Sequence, residues 1–305
     1  MKKVEKIIKI LSQKNIEYVT NEPLSNHTSI KIGGICKAFV SVKTENEFIF
    51  VLNVLIKNGV KYYVLGNGTN TLASDNGFDG IVICTKNLKR YKISLKNNKN
   101  AIYVQSGMGL FTFGKLLRKI GFGGLEFAYG IPGSIGGAIC MNAGAYNQCV
   151  GDFVEYVKVF QNGKVKKIKK ADMHFDYRHS IVQNSNMVIL GAKFNFNNST
   201  SKTIEDLQNM YFNKRLTNQP YSDLSFGSVF KRNENFEPVS KLIDTLGLKG
   251  FSIGNAQISK KHAGFIINIG SATCQDCLLL IKYIQQKIYE VYGFEPQPEV
   301  QFLGV

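Results

Sequence analysis

The stretch GFGGLEFAYGIPGSIGGAICMNAGAY, residues 121–146, decides how the chain is read. Gly121, Gly123, Gly124, Gly130, Gly133, Gly136, Gly137 and Gly144 crowd it, and Leu125, Phe127, Ile131, Ile135, Ile139 and Met141 interleave them. Flexible linkers are polar, so a glycine-rich segment this apolar belongs inside the protein. Ordered glycine costs conformational entropy, and such a density is explained where the main chain turns tightly against a ligand or where chain packs closely on chain. Both readings stand on this stretch alone, because a glycine pattern without other chemistry has low specificity.

A second glycine-bearing segment lies upstream. The β-rich run Val60 to Leu65 empties into GNGTNTL, residues 66–72. A strand ending in Gly, Asn and Thr presents backbone N–H groups and short hydroxyls in a small concavity, the chemistry that holds a diphosphate. It is not the dinucleotide fingerprint of a doubly wound sheet, since Thr69 and Asn70 stand where the third glycine belongs.

The whole chain sets the bounds. Its 305 residues, 44% hydrophobic, can bury at least one large core and suit a division into two or three domains. A formal charge of +16 favours any anionic partner, but the lysines are scattered among Asn and Ile, as a general compositional bias produces. The tightest cluster, Lys164 to Lys170, falls in a hairpin and reads as a solvated face, so no nucleic-acid partner is expected. The six cysteines lack framework spacing, as expected of reduced thiols in a cytosolic protein. No secretory signal and no membrane-spanning run is read, and Val4, Ile7, Ile8 and Leu11 instead share a helix face.

The coarse order of elements follows from periodicity and caps. Strands are expected at SIKIGG and KAFVSV, then a helix opened by Thr44 and Glu47 and closed by Gly59. Short strands IVICT, KISL and AIYVQSG precede a helix from Leu110 to Ile120. EYVKVFQNGKVKKI reads as a hairpin turning at Asn162-Gly163, and a strand is expected over 187–196. Helices are expected over 203–215, 241–246 and 273–292, strands at FSIGNAQIS and GFIINIG, and a proline-set terminal strand in EPQPEVQFLGV. The link NNSTSK, 197–202, suits a domain boundary.

Three residues stand out chemically, each with a plainer alternative. Arg178, among Tyr, His and Ser, suits carboxylate or phosphate binding by its rigid fork of donors, or is a structural arginine. Ser228, between Phe226 and Phe230, is a hydrogen-bond donor in an apolar site or a turn residue. Glu299 is a site carboxylate or an outward edge charge. The four histidines show no metal-ligand spacing, so no metal is expected. Cys274 and Cys277 form a CxxC at a helix start, read as one buried thiol and one near the cap.

In this order the blocks HTSIKIGG, YYVLGNGTNTL, GLEFAYGIPGSIGGAICMNAGAY, FDYRHS, FGSVFKR, KHAGFIIN and PEVQFLG resemble the UDP-N-acetylenolpyruvoylglucosamine reductase family, in its compact second type, from residue 27 to the C-terminus. The resemblance implies an α+β fold: a two-part FAD-binding module of the vanillyl-alcohol-oxidase (PCMH) type plus a C-terminal α/β substrate-binding domain. It divides the chain into 1–86, rejoined by the terminal strand 296–305, then 87–200, then 201–295. It implies non-covalent FAD, held by Gly66, Asn67, Gly68, Thr69 and Asn70 and by Gly130, Ile131, Pro132, Gly133, Ser134, Gly136 and Gly137, with NADPH as co-substrate. The catalytic positions fall on Arg178, Ser228 and Glu299, and substrate-binding positions on Tyr146, Lys231 and His262. Gln301 departs from the family's usual arginine, Asn147 from its glycine and Asn233 from its proline.

The implied reaction carries hydride from NADPH through FAD to the vinyl carbon of an enolpyruvyl UDP-sugar. Charge then builds on the adjacent carbon and its carboxylate, so a cation and a proton source are needed there. Arg178 meets the first need, helped by a group on Glu299, and Ser228 the second. The resemblance further implies a monomer in the cytoplasm. An FAD-dependent oxidase of the same fold is the alternative; it gives Ser228 no role and often tethers flavin to His or Cys, for which only His27 offers itself.

Overall fold

A computed structural model describes residues 2–96 and 99–305. The chain forms two compact units. One comprises residues 1–19, 38–67 and 80–214; the other comprises residues 20–37, 68–79 and 215–305. The helices are α1 (Lys2–Gln13), α2 (Glu45–Lys57), α3 (Leu110–Ile120), α4 (Ile135–Cys140), α5 (Ser201–Asn218), α6 (Val239–Thr245) and α7 (Cys274–Tyr292).

The first unit holds two cores. Ile7 and Leu11 of α1 and Phe48, Val51, Leu52 and Leu55 of α2 are fully buried with Ile81, Ile83 and Leu190. Helix α2 starts where the sequence places it: Thr44 accepts from Glu47 N–H at 3.1 Å, while the Glu47 carboxylate accepts from Lys43 N–H at 2.8 Å. The strand Tyr62–Leu65 beside it pairs in parallel with Ile81–Cys84 and delivers the chain to Gly66.

The second core of this unit lies on an antiparallel sheet in the order Lys164–Lys169, Val154–Gln161, Val188–Asn198, Lys99–Gln105, Tyr91–Lys96, with Phe122–Gly123 also pairing on Val188–Asn198. The hairpin turns at Asn162 and Gly163, both left-handed (φ 50° and 77°), as a two-residue loop requires. Phe113 and Leu117 of α3 and Ile135 and Ile139 of α4 pack with Ile102, Val157 and Phe194. Helix α3 keeps its expected limits and ends on left-handed Gly121.

In the second unit the sheet runs Ser225–Ser228, Phe265–Asn268, Ala256–Ile258, Ser252–Ile253. Ile243 of α6 and Leu280, Ile281, Ile284 and Ile288 of α7 cover it, and Ile30, Ile32, Leu72 and Val300 join the same core. The terminal strand Gln301–Leu303 pairs in parallel with Thr71–Ala73. The SIKIGG block is a turn rather than the expected strand: Thr28 Oγ1 donates to Ile32 O at 2.8 Å and Lys31 is left-handed, so hydroxyl and turn replace ladder bonds while Ile30 and Ile32 are buried.

Candidate active site

Within the first unit the start of the upstream glycine segment meets the long glycine stretch. Asn67 Nδ2 donates to Pro132 O at 2.7 Å, and a Cβ on Gly66 would lie 2.4 Å from Ser134 Oγ. Ser134 caps α4, accepting from Gly137 N–H at 3.4 Å, so the stretch contains a short helix that its glycines hid from the sequence reading. A third segment backs them. Leu110 N–H donates to Gly133 O (3.0 Å), Ile135 N–H to Met108 O (2.8 Å) and Gly136 N–H to Ser106 O (2.8 Å). Residues 106–110 therefore run as a strip along 133–136. This strip was missed from sequence; its only mark is Gly107-Met108-Gly109 following a strand. Gly107 cannot carry a Cβ, which would fall 1.7 Å from Thr85 O, and the buried Ser106 Oγ has no hydrogen-bond partner among the described residues.

Gly130 is left-handed (φ 89°), and Ile131, Pro132, Gly133, Gly136 and Gly137 keep partial or full exposure beside buried Ser134 and Ile135. Side-chain-free backbone, open to solvent on one side and fixed from behind on the other, is the surface a diphosphate-bearing cofactor needs. With Gly133, Gly136 and Gly137 carrying no side chain on this exposed face, the stretch fits a cofactor such as FAD.

Arg178 sits on a tight turn in the same unit, closed by Asp176 N–H to His179 O (3.2 Å) and His179 N–H to Asp176 O (3.1 Å). Its φ of 52° is left-handed, a strained setting for a residue with a long side chain. The turn is pinned from behind: Asn142 Nδ2 donates to Asp176 O at 2.9 Å, Ser180 Oγ to Cys140 O at 2.7 Å and Gln183 Nε2 to Arg178 O at 2.9 Å. Its Nη2 donates to Gly144 O at 3.1 Å, and its guanidinium stands 5.0 Å from the centre of the Tyr177 ring. Tyr146, also left-handed, packs its ring against that of Tyr211 (centroids 4.5 Å apart, planes tilted by 31°) and is 41% exposed, so its ring is available to a ligand.

Within the second unit three segments converge. Glu299 N–H donates to Val229 O at 2.7 Å, Gln301 N–H to Asn70 O at 2.9 Å and Asn70 Nδ2 to Glu299 O at 3.2 Å. The terminal segment is thus laid between the Ser228 strand and the end of the GNGTN block. Ser228 is exposed although Phe226, Val229 and Phe230 around it are buried. Its strand slips register between Ser225 and Ser228, and left-handed Gly227 lets it do so. Such a bulge re-aims one side chain, so Ser228 leaves the core face that its neighbours occupy. Gly68 (φ 68°) lies so close to His27 that a Cβ would meet His27 O at 2.1 Å, and Thr69 O is 3.6 Å from a Cβ on Gly227. Gln301 folds its amide onto Glu299 O at 3.1 Å.

Lys231 is anchored by its N–H to Gln297 O at 2.8 Å, one residue from the bridge between Phe230 and Pro298. His262 is half-buried; Gly264 N–H donates to its Nδ1 at 3.1 Å, and burial holds its pKa below the ordinary histidine value, with Lys249 acting the same way and Asp244 opposing. His27, weighed above as a flavin tether, has its Nε2 on Glu22 at 2.8 Å. As expected, Cys274 follows the Thr273 cap and Cys277 is buried; Cys274 is buried as well (2% and 0% exposed), because Asp75 closes over the start of α7, accepting from Cys274 and Gln275 N–H at 2.8 and 3.0 Å. Burial pushes the Cys274 thiol up to about 11 and the Cys277 thiol higher still. Among the described residues no group of His, Cys, Asp and Glu could hold a metal.

Residues 219–303 match the family model described as UDP-N-acetylenolpyruvoylglucosamine reductase, C-terminal domain, and residues 36–169 match one described as FAD binding domain. Curated proteins named UDP-N-acetylenolpyruvoylglucosamine reductase include one from Thermotoga sp. (strain RQ2), 40% identical over 98% of this chain and 97% of its own length. Another, from Thermotoga petrophila, is 42% identical over 92% of this chain and 96% of its own. The crystal structure of the Thermus caldophilus UDP-N-acetylenolpyruvylglucosamine reductase superposes with a TM-score of 0.79 at 28% identity, covering 94% of this chain and 98% of that one.

Proposed function

The chain belongs to the UDP-N-acetylenolpyruvoylglucosamine reductase family, and on that premise we propose a division of labour among its residues. The protein is an FAD-containing, NADPH-dependent oxidoreductase that reduces UDP-N-acetylglucosamine enolpyruvate to UDP-N-acetylmuramate, a step in peptidoglycan precursor synthesis. The bound FAD supplies hydride transfer between the two substrates.

Everything else falls to the chain. Gly66 to Asn70 and Gly130 to Gly137 receive the cofactor on side-chain-poor backbone and short polar side chains. The Arg178 guanidinium takes the substrate carboxylate, where charge gathers as hydride arrives at the far carbon. The Ser228 hydroxyl donates the proton to the carbon between them; a serine is a weak acid in water but suffices for a strongly basic, enolate-like carbon. Glu299 orients a partner at that carboxylate, and Tyr146, Lys231 and His262 bind the UDP-sugar.

The support that carries this reading is the convergence on Glu299: one strand ties the bulged serine to the end of the GNGTN block through Val229 O and Asn70. The oxidase alternative leaves that bulge without a purpose. The reading keeps 1–86 with 296–305, 87–200 and 201–295 as functional divisions, and it describes a cytoplasmic monomer whose product serves wall growth, cell shape and division. Among the described residues no helix is long and apolar enough to cross a membrane. The test is anaerobic: NADPH should bleach the flavin band of the purified protein, and the enolpyruvyl UDP-sugar should restore it. Recovery with oxygen but not with that sugar would mean an oxidase.

A further inference from the structure

We infer that Ser29, in the HTSIKIGG block, is a positioning residue that couples the cofactor loop to the strand of the proton donor; the inference rests on the functional reading above. Ser29 N–H donates to Gly68 O at 3.0 Å. Its Oγ lies 2.5 Å from Ser225 O and 3.3 Å from Gly68 O, groups 196 and 39 positions away in the chain. One hydroxyl has one proton, so the short bond goes to Ser225 and the long one is a weak third centre. Ser225 is where the strand begins its register slip, which ends at Ser228. The same residue thus fixes Gly68 by its backbone and the origin of the bulge by its side chain.

Ser29 is itself held still. Thr28 Oγ1 bonds the Ile32 backbone in both directions (2.8 and 3.2 Å), Asn268 Nδ2 donates to Ile30 O at 3.0 Å, and Ile30 and Ile32 are buried. A half-buried hydroxyl on a rigid turn, bonded to two carbonyls that belong to two functional segments, sets their spacing. Proton donation depends steeply on that spacing, whereas binding of the cofactor by several backbone groups does not.

The test uses the flavin-loaded full chain and stopped-flow absorbance of the flavin. Ser29→Ala should keep FAD within about threefold of wild-type affinity, leave bleaching by NADPH unchanged and slow recovery with the enolpyruvyl UDP-sugar about tenfold, the size of one lost hydrogen bond. Ser29→Thr should recover most of that loss. Ser29→Cys, which keeps the volume and weakens the bond, gives the same comparison should the alanine variant not fold. Wild-type rates in both steps, equal slowing of both, or no recovery with threonine overturns the inference. A wild-type protein whose flavin is not restored by the sugar overturns the functional reading instead, so the two failures are distinct.

Discussion

Replacing Gly68 with alanine puts the account of the cofactor loop at risk in one step. The new Cβ would sit 2.1 Å from His27 O and 3.1 Å from Thr28 Cα, and it must retreat by about 0.9 Å (3.0 − 2.1) to reach the closest approach real Cβ atoms show. The obstacle is backbone, and that backbone is anchored by buried Thr28 and Ile30, so the loop and not the wall gives way. Left-handed backbone (φ 68°) adds about 1 kcal/mol for any residue with a side chain. Gly247 separates the two costs: it is equally left-handed (φ 70°) with nothing within 4 Å of its Cβ position. Gly247→Ala should lose only the conformational term, about 1 kcal/mol in thermal or urea melts, and bind FAD as wild type. Gly68→Ala, with its loop displaced from the diphosphate, should lose one or two charge-assisted hydrogen bonds, which makes FAD binding about 10- to 100-fold weaker by fluorescence titration of the apoprotein. If Gly68→Ala binds FAD within about twofold of wild type and melts like Gly247→Ala, the loop neither touches the cofactor nor is compressed against His27.

The other expectations concern the second unit. Asp75→Ala removes the carboxylate that accepts two N–H groups at the start of α7, and the melting transition should drop by the equivalent of about 1–2 kcal/mol; an unchanged transition would show that water replaces the cap at no cost. Because burial lowers the folded-state pKa of His262, the stability tied to its neutral form is complete above the ordinary value of 6.5 and is lost as pH falls below it. Denaturation at pH 7.5 and 5.5 should therefore show a smaller loss for His262→Gln than for wild type, and an equal loss would mean that the ring protonates freely in the fold. Native protein treated with iodoacetamide at pH 7.5 should keep Cys274 and Cys277 unmodified by mass spectrometry, since both thiols are buried and raised; rapid labelling of either would contradict the closed end of α7.

The local elements were legible because their signals are local. Thr44 and Glu47 mark the start of α2, Gly59 marks its end, and Asn162-Gly163 marks the hairpin, each by a rule that operates within four residues. Helix α4 was not legible, since its Ile-Gly-Gly start is unfavourable for a helix in isolation and is held by the Ser134 cap and the strip 106–110. The bulge at Gly227 was equally hidden, for a register slip depends on the partner strand. Arg178, Ser228 and Glu299 stood out by their own chemistry, but each had a plainer reading, and their catalytic roles came from the resemblance. Ser29 escaped notice because its meaning lies entirely in a carbonyl 196 residues away.

In the proposed mechanism the exposed, bulged Ser228 donates the proton after hydride has reached the substrate. Anaerobic stopped-flow on Ser228→Ala tests it most directly, following bleaching of the flavin by NADPH and then its recovery with the enolpyruvyl UDP-sugar. Bleaching should run at the wild-type rate, and recovery should slow on the order of 10²-fold or more and be partly regained in Ser228→Cys, whose thiol can also donate. Recovery at the wild-type rate, or equal slowing of both phases, would contradict it and leave Ser228 a turn residue.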